Sequence, residues 1–259
     1  MAIETVISES VFKKLVEETK AMDGYREPIG FGIARVDRGQ VNAETVLQAN
    51  YAVVNWGENY GSAAVFIRAL VEAGTIVDFD SCEFTTTLND RFVDNAMAAF
   101  APYIVEATGD AHKNVQAIKA LAAMEDIGKD FVITFLFADA APKSVESVYL
   151  KLYALSGGKA ALRSINLNGA FGILGNVAWV GNKPYELEYL RENEIEMKLN
   201  GTYPNIDSVD KFPRYLQHVI PADNTRILES SKVRMGAQLA PGTTVMPGAS
   251  YINFNAGTL

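Results

Sequence analysis

Cysteine and histidine are scarce in this chain, which limits the chemistry that it can carry. Cys82 is the single cysteine among 259 residues, and the two histidines are His112 and His218. A single cysteine excludes an internal disulfide framework and is typical of proteins from a reducing cytoplasm. These counts favour neither a Cys–His nucleophile pair with an orienting group nor a zinc site of three histidines. We interpret His218 as a packed or solvated linker residue rather than a catalytic base.

The chain also lacks long apolar runs and an excess of basic residues. No apolar run reaches the length that spans a bilayer, and the amino terminus mixes charged with apolar residues, unlike a signal peptide. The net charge is −8, with 31 acidic against 23 basic residues. Nucleic-acid binding needs a basic face, so we predict a cytoplasmic protein with no membrane and no nucleic-acid partner. A small anionic substrate is compatible with this balance, because local charge decides its binding.

Strand-like and helix-like segments alternate over residues 1–142 and predict an N-terminal α/β domain. The clearest strand is Asp130–Ala138, DFVITFLFA, whose near-continuous apolar run indicates burial on both faces.

Residues 143–214 are predicted to form a second α/β segment that ends in a linker. A helix begins at Ser144 and stops at Gly157-Gly158. Two strands, residues 162–167 and 171–180, are predicted to form a hairpin through Asn168-Gly169. Residues 203–214, with two prolines and several polar turn formers, read as the linker.

A six-residue period distinguishes residues 215–259. Aliphatic residues recur every six positions, and a small residue follows each of them four places later: Ile227, Val233, Leu239, Val245, then Ser231, Ala237, Thr243, Ala249. Neither a helix nor a flat strand has this period. The period is typical of a left-handed parallel β-helix with triangular coils, in which the aliphatic residues point inward. The alternative is a pair of ordinary strands around Ala240-Pro241-Gly242, which explains the turn but not the period.

The period shifts by one residue near the end of the chain. The next aliphatic residue after Val245 is Ile252 rather than position 251, so we predict an insertion at Pro247-Gly248. The sequence stops at Leu259 within a repeat, although a solenoid needs a terminal cap. We therefore expect the natural chain to be longer, and this β-helix to be incomplete.

Four sequence stretches resemble the tetrahydrodipicolinate N-succinyltransferase family, a hexapeptide-repeat acyltransferase family, in the same order. They are SVYLKLYALS (147–156), LRSINLNGAFGILGNVAW (162–179), VDKFPR (209–214) and VRMGAQLAPGTTVMPGASYINFNAGTL (233–259). The resemblance covers roughly residues 144–259. The first 142 residues are similar, more loosely, to the longer-headed members.

The resemblance implies an enzyme that transfers succinyl from succinyl-CoA to tetrahydrodipicolinate in diaminopimelate and lysine biosynthesis, with no other cofactor. It also implies a homotrimer with active sites between adjacent β-helices. In the family a carboxylate shortly after the NAGT segment carries the key chemistry. That residue is expected beyond Leu259, so no catalytic residue is assigned here and this chain alone is expected to be inactive.

Four residues are predicted to bind substrate. Asn253, Asn255 and Gly257 stand in the family motif nearest the active site, although a structural role as stacked amides and a tight corner inside the β-helix explains them somewhat better. Arg234 is expected to point outward, toward a substrate carboxylate or a neighbouring subunit.

Some family members hold a divalent cation at the trimer axis with acidic residues. The matching positions here are Lys232 and Ala249, so no metal is predicted.

Two other functions remain open from the sequence alone. One is a different hexapeptide acyltransferase that uses acetyl-CoA or an amino-sugar, against which the 162–179 and 209–214 stretches argue. The other is an assembly module without catalysis. Assays for CoA release separate an enzyme from a module.

Overall fold

The chain folds into two compact units, and each unit consists of two separate segments of the sequence. The structure is a computed structural model that describes residues 2–248 and 251–258. The first unit comprises the chain up to Arg35 together with Tyr51–Ala140, and the second comprises Val36–Asn50 and the chain from Ala141 onward. Strands β1 (Gly30–Arg38) and β2 (Val46–Trp56) therefore each contribute residues to both units.

A four-stranded sheet has the order β2-β1-β4-β3, with β3 at Glu83–Thr87 and β4 at Phe131–Leu136. β4 is antiparallel to both neighbours, and Phe135 faces Phe31 on one side and Phe84 on the other. Five of its six residues are buried, as its apolar run predicts. Its buried hydroxyl, on Thr134, accepts hydrogen bonds from Tyr51 and Thr85, so no polar group is left unpaired there.

Four helices complete the first unit: α1 (Glu9–Lys20), α2 (Tyr60–Glu72), α3 (Asp90–Ala99) and α4 (Lys113–Ala122). Their buried faces share one aromatic core, in which Phe66 packs against Phe92 and edge-on against Phe100. In the described part of the chain, no helix combines the length and apolar character needed to cross a membrane.

Helix α5 (Val145–Ser156) is the buried helix of the second unit. Nine of its twelve residues are buried, which is the pattern of a helix packed on all sides. Ser144 begins it with a capping box: its hydroxyl accepts from the Ser147 amide, and the Ser147 hydroxyl accepts from the Ser144 amide.

The hairpin predicted through Asn168-Gly169 is wrong. Residues 162–167 form no strand, and Gly169, with φ +82°, begins the short helix α6 (Ala170–Ile173). The hairpin joins β5 (Val177–Val180) to β6 (Lys183–Glu186) instead, with Gly181 at φ +60° in its two-residue turn. A left-handed Asn-Gly can begin a helix as well as close a hairpin, and the dipeptide alone does not distinguish them.

The predicted linker contains the third strand of this small sheet. β7 (Ser208–Asp210) pairs antiparallel with β5, giving the order β6-β5-β7. Phe212, two residues later, is fully buried. Helices α7 (Leu187–Glu192) and α8 (Glu194–Asn200) lie between β6 and β7 in the sequence.

Several described residues near the end of the chain form parallel pairs. β8 (Arg226–Ile227) pairs with β9 (Thr244–Val245), so Ile227 lies beside Val245, eighteen residues later. Two further parallel bridges, Val233 to Ile252 and Gln238 to Gly257, join residues nineteen apart. The left-handed β-helix and the insertion at Pro247-Gly248 stay predictions, because the described pairs are short and residues 249 and 250 lie outside the described residues.

One cluster contains all four predicted inward residues. Val233 and Val245 are buried, and Ile227, Leu239 and Ile252 pack against them. The prediction that the six-residue period marks a shared core is confirmed. Ala249, the last of the four small residues in the six-residue period, lies outside the described residues, as does Leu259.

Candidate active site

Asp210, the last residue of β7, binds two arginines. Its carboxylate oxygens lie 2.9 and 3.1 Å from Arg234 Nη2, and Oδ2 lies 3.3 Å from Arg234 Nε. Arg214 Nη1 is 3.0 Å from Oδ2 of the same carboxylate. The two arginine side chains are only 17% and 19% exposed, so this pairing balances largely desolvated charge. Arg234, predicted to meet substrate or a neighbouring subunit, is thus already engaged within the chain.

Aromatic rings and Asn253 enclose the Arg234 guanidinium. It lies 5.4 Å from the ring centroids of both Phe212 and Tyr251, within cation–π range. Its Nη1 donates to Asn253 Oδ1 at 3.2 Å. Arg214 Nη1 donates to the Tyr251 hydroxyl at 2.8 Å. The structure therefore brings Arg234 and Asn253 together.

Asn255 and Gly257 form a second group. Asn255 has φ +59°, a conformation that asparagine tolerates, and its Oδ1 accepts from the Arg163 amide at 2.5 Å. A Cβ on Gly257 would lie 2.4 Å from the Gln238 carbonyl oxygen and 2.8 Å from Leu162 Cδ1, so glycine is required by close approach. Both residues thus fix the loop after α5 against the parallel segment.

A cleft of about 550 Å³ opens beside Asn255, and we call it the Arg163 cleft. Its walls are residues 163–169, Phe171, Phe254 and Asn255. The lining includes one cation, Arg163, and no acidic residue, and its remaining polar groups are amides and a hydroxyl. Phe254 stacks on Phe212, with ring centroids 4.5 Å apart. This ring pair connects the cleft, which Phe254 lines, to the Arg234 guanidinium, which lies over Phe212.

Side-chain hydrogen bonds hold the loop that carries Arg163. The Lys151 ammonium on α5, only 1% exposed, donates to the Asn166 carbonyl at 2.8 Å. Ser164 Oγ donates to the Ala161 carbonyl, and the Asn168 amide donates to Asn166 Oδ1. These bonds replace a strand ladder, which is why residues 162–167 are not the predicted strand. Arg163 itself has φ +64°.

His218 lies between two tyrosines of α5. Its Nδ1 is 2.8 Å from the Tyr153 hydroxyl, and its ring contacts Tyr149 and Tyr153 edge-on. Burial lowers the pKa of His218 to about 4, and its Nε2 is buried without a hydrogen-bond partner among the described residues. Of the two predicted alternatives, a packed or a solvated residue, the structure shows the packed one.

No three His, Cys, Asp or Glu side chains converge on a common metal position within residues 2–248 and 251–258. The Lys232 carbonyl accepts a hydrogen bond from the Ile252 amide at 2.8 Å. Ala249, the other position relevant to a cation, lies outside the described residues. The absence of a metal stays a prediction.

Two consecutive stretches of the chain match models of one protein family. Residues 10–172 match the model described as Tetrahydrodipicolinate N-succinyltransferase N-terminal, and residues 174–214 match the model described as its middle. The chain belongs to the tetrahydrodipicolinate N-succinyltransferase family. The two matches together span the first three of the four motifs, so the resemblance to this family is confirmed. The match also extends into the first 142 residues, where the similarity of the sequence was looser.

Individual members of the family are similar along the whole chain. A protein from a Sulfurovum species, named 2,3,4,5-tetrahydropyridine-2,6-dicarboxylate N-succinyltransferase, is 77% identical over 259 residues, all of this chain and 65% of its own length. A protein of the same name from a Nitratiruptor species is 65% identical over 249 residues, 96% of this chain and 63% of its own. The chain thus spans just under two thirds of the length of these relatives.

A solved structure shows the same similarity in three dimensions. It is a Campylobacter jejuni protein titled as a 2,3,4,5-tetrahydropyridine-2-carboxylate N-succinyltransferase, with a TM-score of 0.93 and 52% identity. The match covers 98% of this chain and 66% of that one.

The sequence did not predict Asp210 or Arg163 as residues of the site. Asp210 stands in the VDKFPR motif, but the motif alone does not show that its carboxylate meets Arg234, twenty-four residues later. Arg163 lies in a stretch read as a strand, where alternate side chains would have pointed away from any cleft. Its neighbours Ser164, Asn166 and Asn168 alternate with apolar residues, and this alternation imitated a strand.

Proposed function

We propose that the full-length protein transfers a succinyl group from succinyl-CoA to the amine derived from tetrahydrodipicolinate. The observation that carries this proposal is the 77% identity, along the entire chain, to a relative named for this reaction. The geometry supports it, because a cleft with a cationic lining and no acid suits a dicarboxylate substrate.

In this reaction one water adds to the cyclic imine of tetrahydrodipicolinate and so supplies the amine. A C–N bond then forms between this amine and the succinyl carbonyl carbon while the C–S bond of the thioester breaks. The amine loses a proton to a base, and the departing CoA sulfur ends as the thiol. The carbonyl oxygen gains negative charge in between, which N–H donors stabilise. We do not assign the base to His218, because Tyr149 and Tyr153 enclose its ring.

We propose that Arg234, Asn253, Asn255 and Gly257 shape the substrate cleft in different ways. Asn255 lines the cleft directly. Gly257 allows Gln238 and Leu162 to approach closely and so sets the position of the cleft wall. Arg234 and Asn253 support the wall through Phe212, which stacks on Phe254.

For the architecture we propose that residues 215–259 begin a left-handed parallel β-helix, after an N-terminal domain at 1–142 and a second segment at 143–214. The eighteen-residue parallel return and the shared aliphatic core support the coil. We further propose a homotrimer with active sites between adjacent β-helices. Exposed Leu228, Met246 and Tyr251 on this segment supply apolar surface for such a contact.

The reaction is tested by measuring free thiol release from succinyl-CoA by the purified full-length protein, with and without tetrahydrodipicolinate. We expect release that requires both substrates, and much slower release from acetyl-CoA. Equal rates with acetyl-CoA would indicate a different hexapeptide acyltransferase. The absence of release with either thioester would refute the proposed reaction and leave an assembly module.

A further inference from the structure

The Arg163 guanidinium is a cation that the fold leaves uncompensated. Among residues 2–248 and 251–258, no acidic side chain pairs with it, whereas Arg234 and Arg214 both share Asp210. Arg163 is exposed, and its backbone is held by Asn255 at φ +64°. The hydrogen bond from the Arg163 amide to Asn255 fixes the backbone of this residue, and Arg163 is one of the residues that line the cleft.

Two further cations reinforce the positive potential of the cleft from behind its walls. Lys151 donates to the Asn166 carbonyl beneath the loop. Lys211 donates to the Phe171 carbonyl at 3.0 Å and lies 5.1 Å from the Phe171 ring centroid. Three positive groups therefore surround a cleft without acidic lining, in a chain whose net charge is −8. Such local concentration of one sign attracts anions.

We propose that Arg163 binds a carboxylate of the dicarboxylate acceptor in this cleft, which makes it a substrate-binding and specificity-determining residue. This inference rests on the proposed function. A planar guanidinium pairs with a carboxylate through two parallel hydrogen bonds, and the Asn166, Asn168 and Asn255 amides supply further partners. The phosphates of CoA share this anionic chemistry. A cleft of about 550 Å³ with one lining cation suits a small dicarboxylate better than an extended nucleotide bearing several phosphates.

The test compares Michaelis constants for the two substrates in variants of the full-length protein. Arg163→Gln removes the positive charge. Arg163→Lys keeps the charge but removes the planar guanidinium that donates two parallel hydrogen bonds. Asn255→Asp keeps the acceptor for the Arg163 amide and a side chain that tolerates φ +59°, but places a negative charge in the cleft. Arg191→Gln is the matched control, since Arg191 is exposed on α7 and is not among the residues that line the cleft.

We expect Arg163→Gln to raise the KM for the dicarboxylate roughly tenfold or more, the usual loss for a charged hydrogen bond. Arg163→Lys should fall between it and the wild type, and Asn255→Asp should also raise this KM. The KM for succinyl-CoA should stay unchanged in all of them, and Arg191→Gln should resemble the wild type. Thermal unfolding of each variant shows whether it is folded.

Unchanged dicarboxylate KM values in folded Arg163→Gln and Asn255→Asp proteins would overturn the assignment. An increase confined to the KM for succinyl-CoA would overturn it as well, because Arg163 would then bind an anionic group of succinyl-CoA. Failure of the proposed function is a separate result, namely no thiol release by the wild type. In that case calorimetric binding of the dicarboxylate to wild type and Arg163→Gln tests the subsite directly, and equal affinities would refute it.

Discussion

At the scale of single residues, Gly257 shows how close packing fixes a position in the family motif. We expect Gly257→Ala to lower the free energy of unfolding by about 1–3 kcal/mol, the usual cost of overpacking, because its Cβ would overlap the Gln238 backbone oxygen. Urea denaturation of the full-length protein measures this change. Gly172→Ala is the control, since nothing lies within 4 Å of a Cβ placed there. Equal stability of the two variants would contradict the close approach.

The burial of His218 predicts a specific dependence of stability on pH. The unfolded imidazole binds a proton near pH 6.5, whereas burial in the fold lowers the pKa of His218 to about 4. Between these values protons bind the unfolded chain preferentially, so stability present above pH 6.5 is lost as the pH falls toward 4. The full loss corresponds to roughly 3 kcal/mol.

Denaturation of wild type and His218→Gln between pH 7 and pH 4.5 checks this dependence. The wild type should lose more stability than the variant over that range. An NMR titration that finds the imidazole protonating near its ordinary pKa would disprove the expectation.

At the scale of elements, α5 links the cleft to the rest of its unit. It carries Lys151, which holds the Arg163 loop, and Ser156, whose Oγ accepts from the Gly236 amide at 2.8 Å. The capping box at Ser144 stabilises α5 and therefore supports both of these contacts. We expect Ser144→Ala to cost about 1 kcal/mol of unfolding free energy.

Ser8→Ala provides the comparison for this cap. Ser8 also caps a helix, α1, but its hydrogen bond is 3.4 Å long and exposed, so its removal should cost less. Both are measured as shifts of the urea midpoint at constant slope. A larger loss in Ser8→Ala than in Ser144→Ala would contradict the role given to α5.

Elements with one dominant signal could be predicted, and those with competing signals could not. The apolar run of β4 predicted a buried strand, and the six-residue period predicted a shared aliphatic core; these two predictions are confirmed. Residues 162–169 combine an alternating pattern with Asn-Gly, but Lys151 and Asn255 hold them in a loop. These tertiary partners are distant in sequence, so no local pattern could reveal them. For the same reason the sequence did not predict Arg163 and Asp210, while the family motif predicted Asn253 and Asn255, whose role in substrate binding stays a prediction.

At the scale of the whole molecule, the fold belongs to one family, and we propose one reaction for the full-length protein. The similarity covers the full chain and just under two thirds of its relatives, and the cleft chemistry agrees with a dicarboxylate acceptor. Mass spectrometry of the product formed by the full-length protein from isotope-labelled succinyl-CoA and tetrahydrodipicolinate tests this most directly. We expect the acceptor to gain one labelled succinyl group on nitrogen, with one CoA thiol released for each product. An acceptor that stays unlabelled, with active control enzyme in the same mixture, would contradict the central claim.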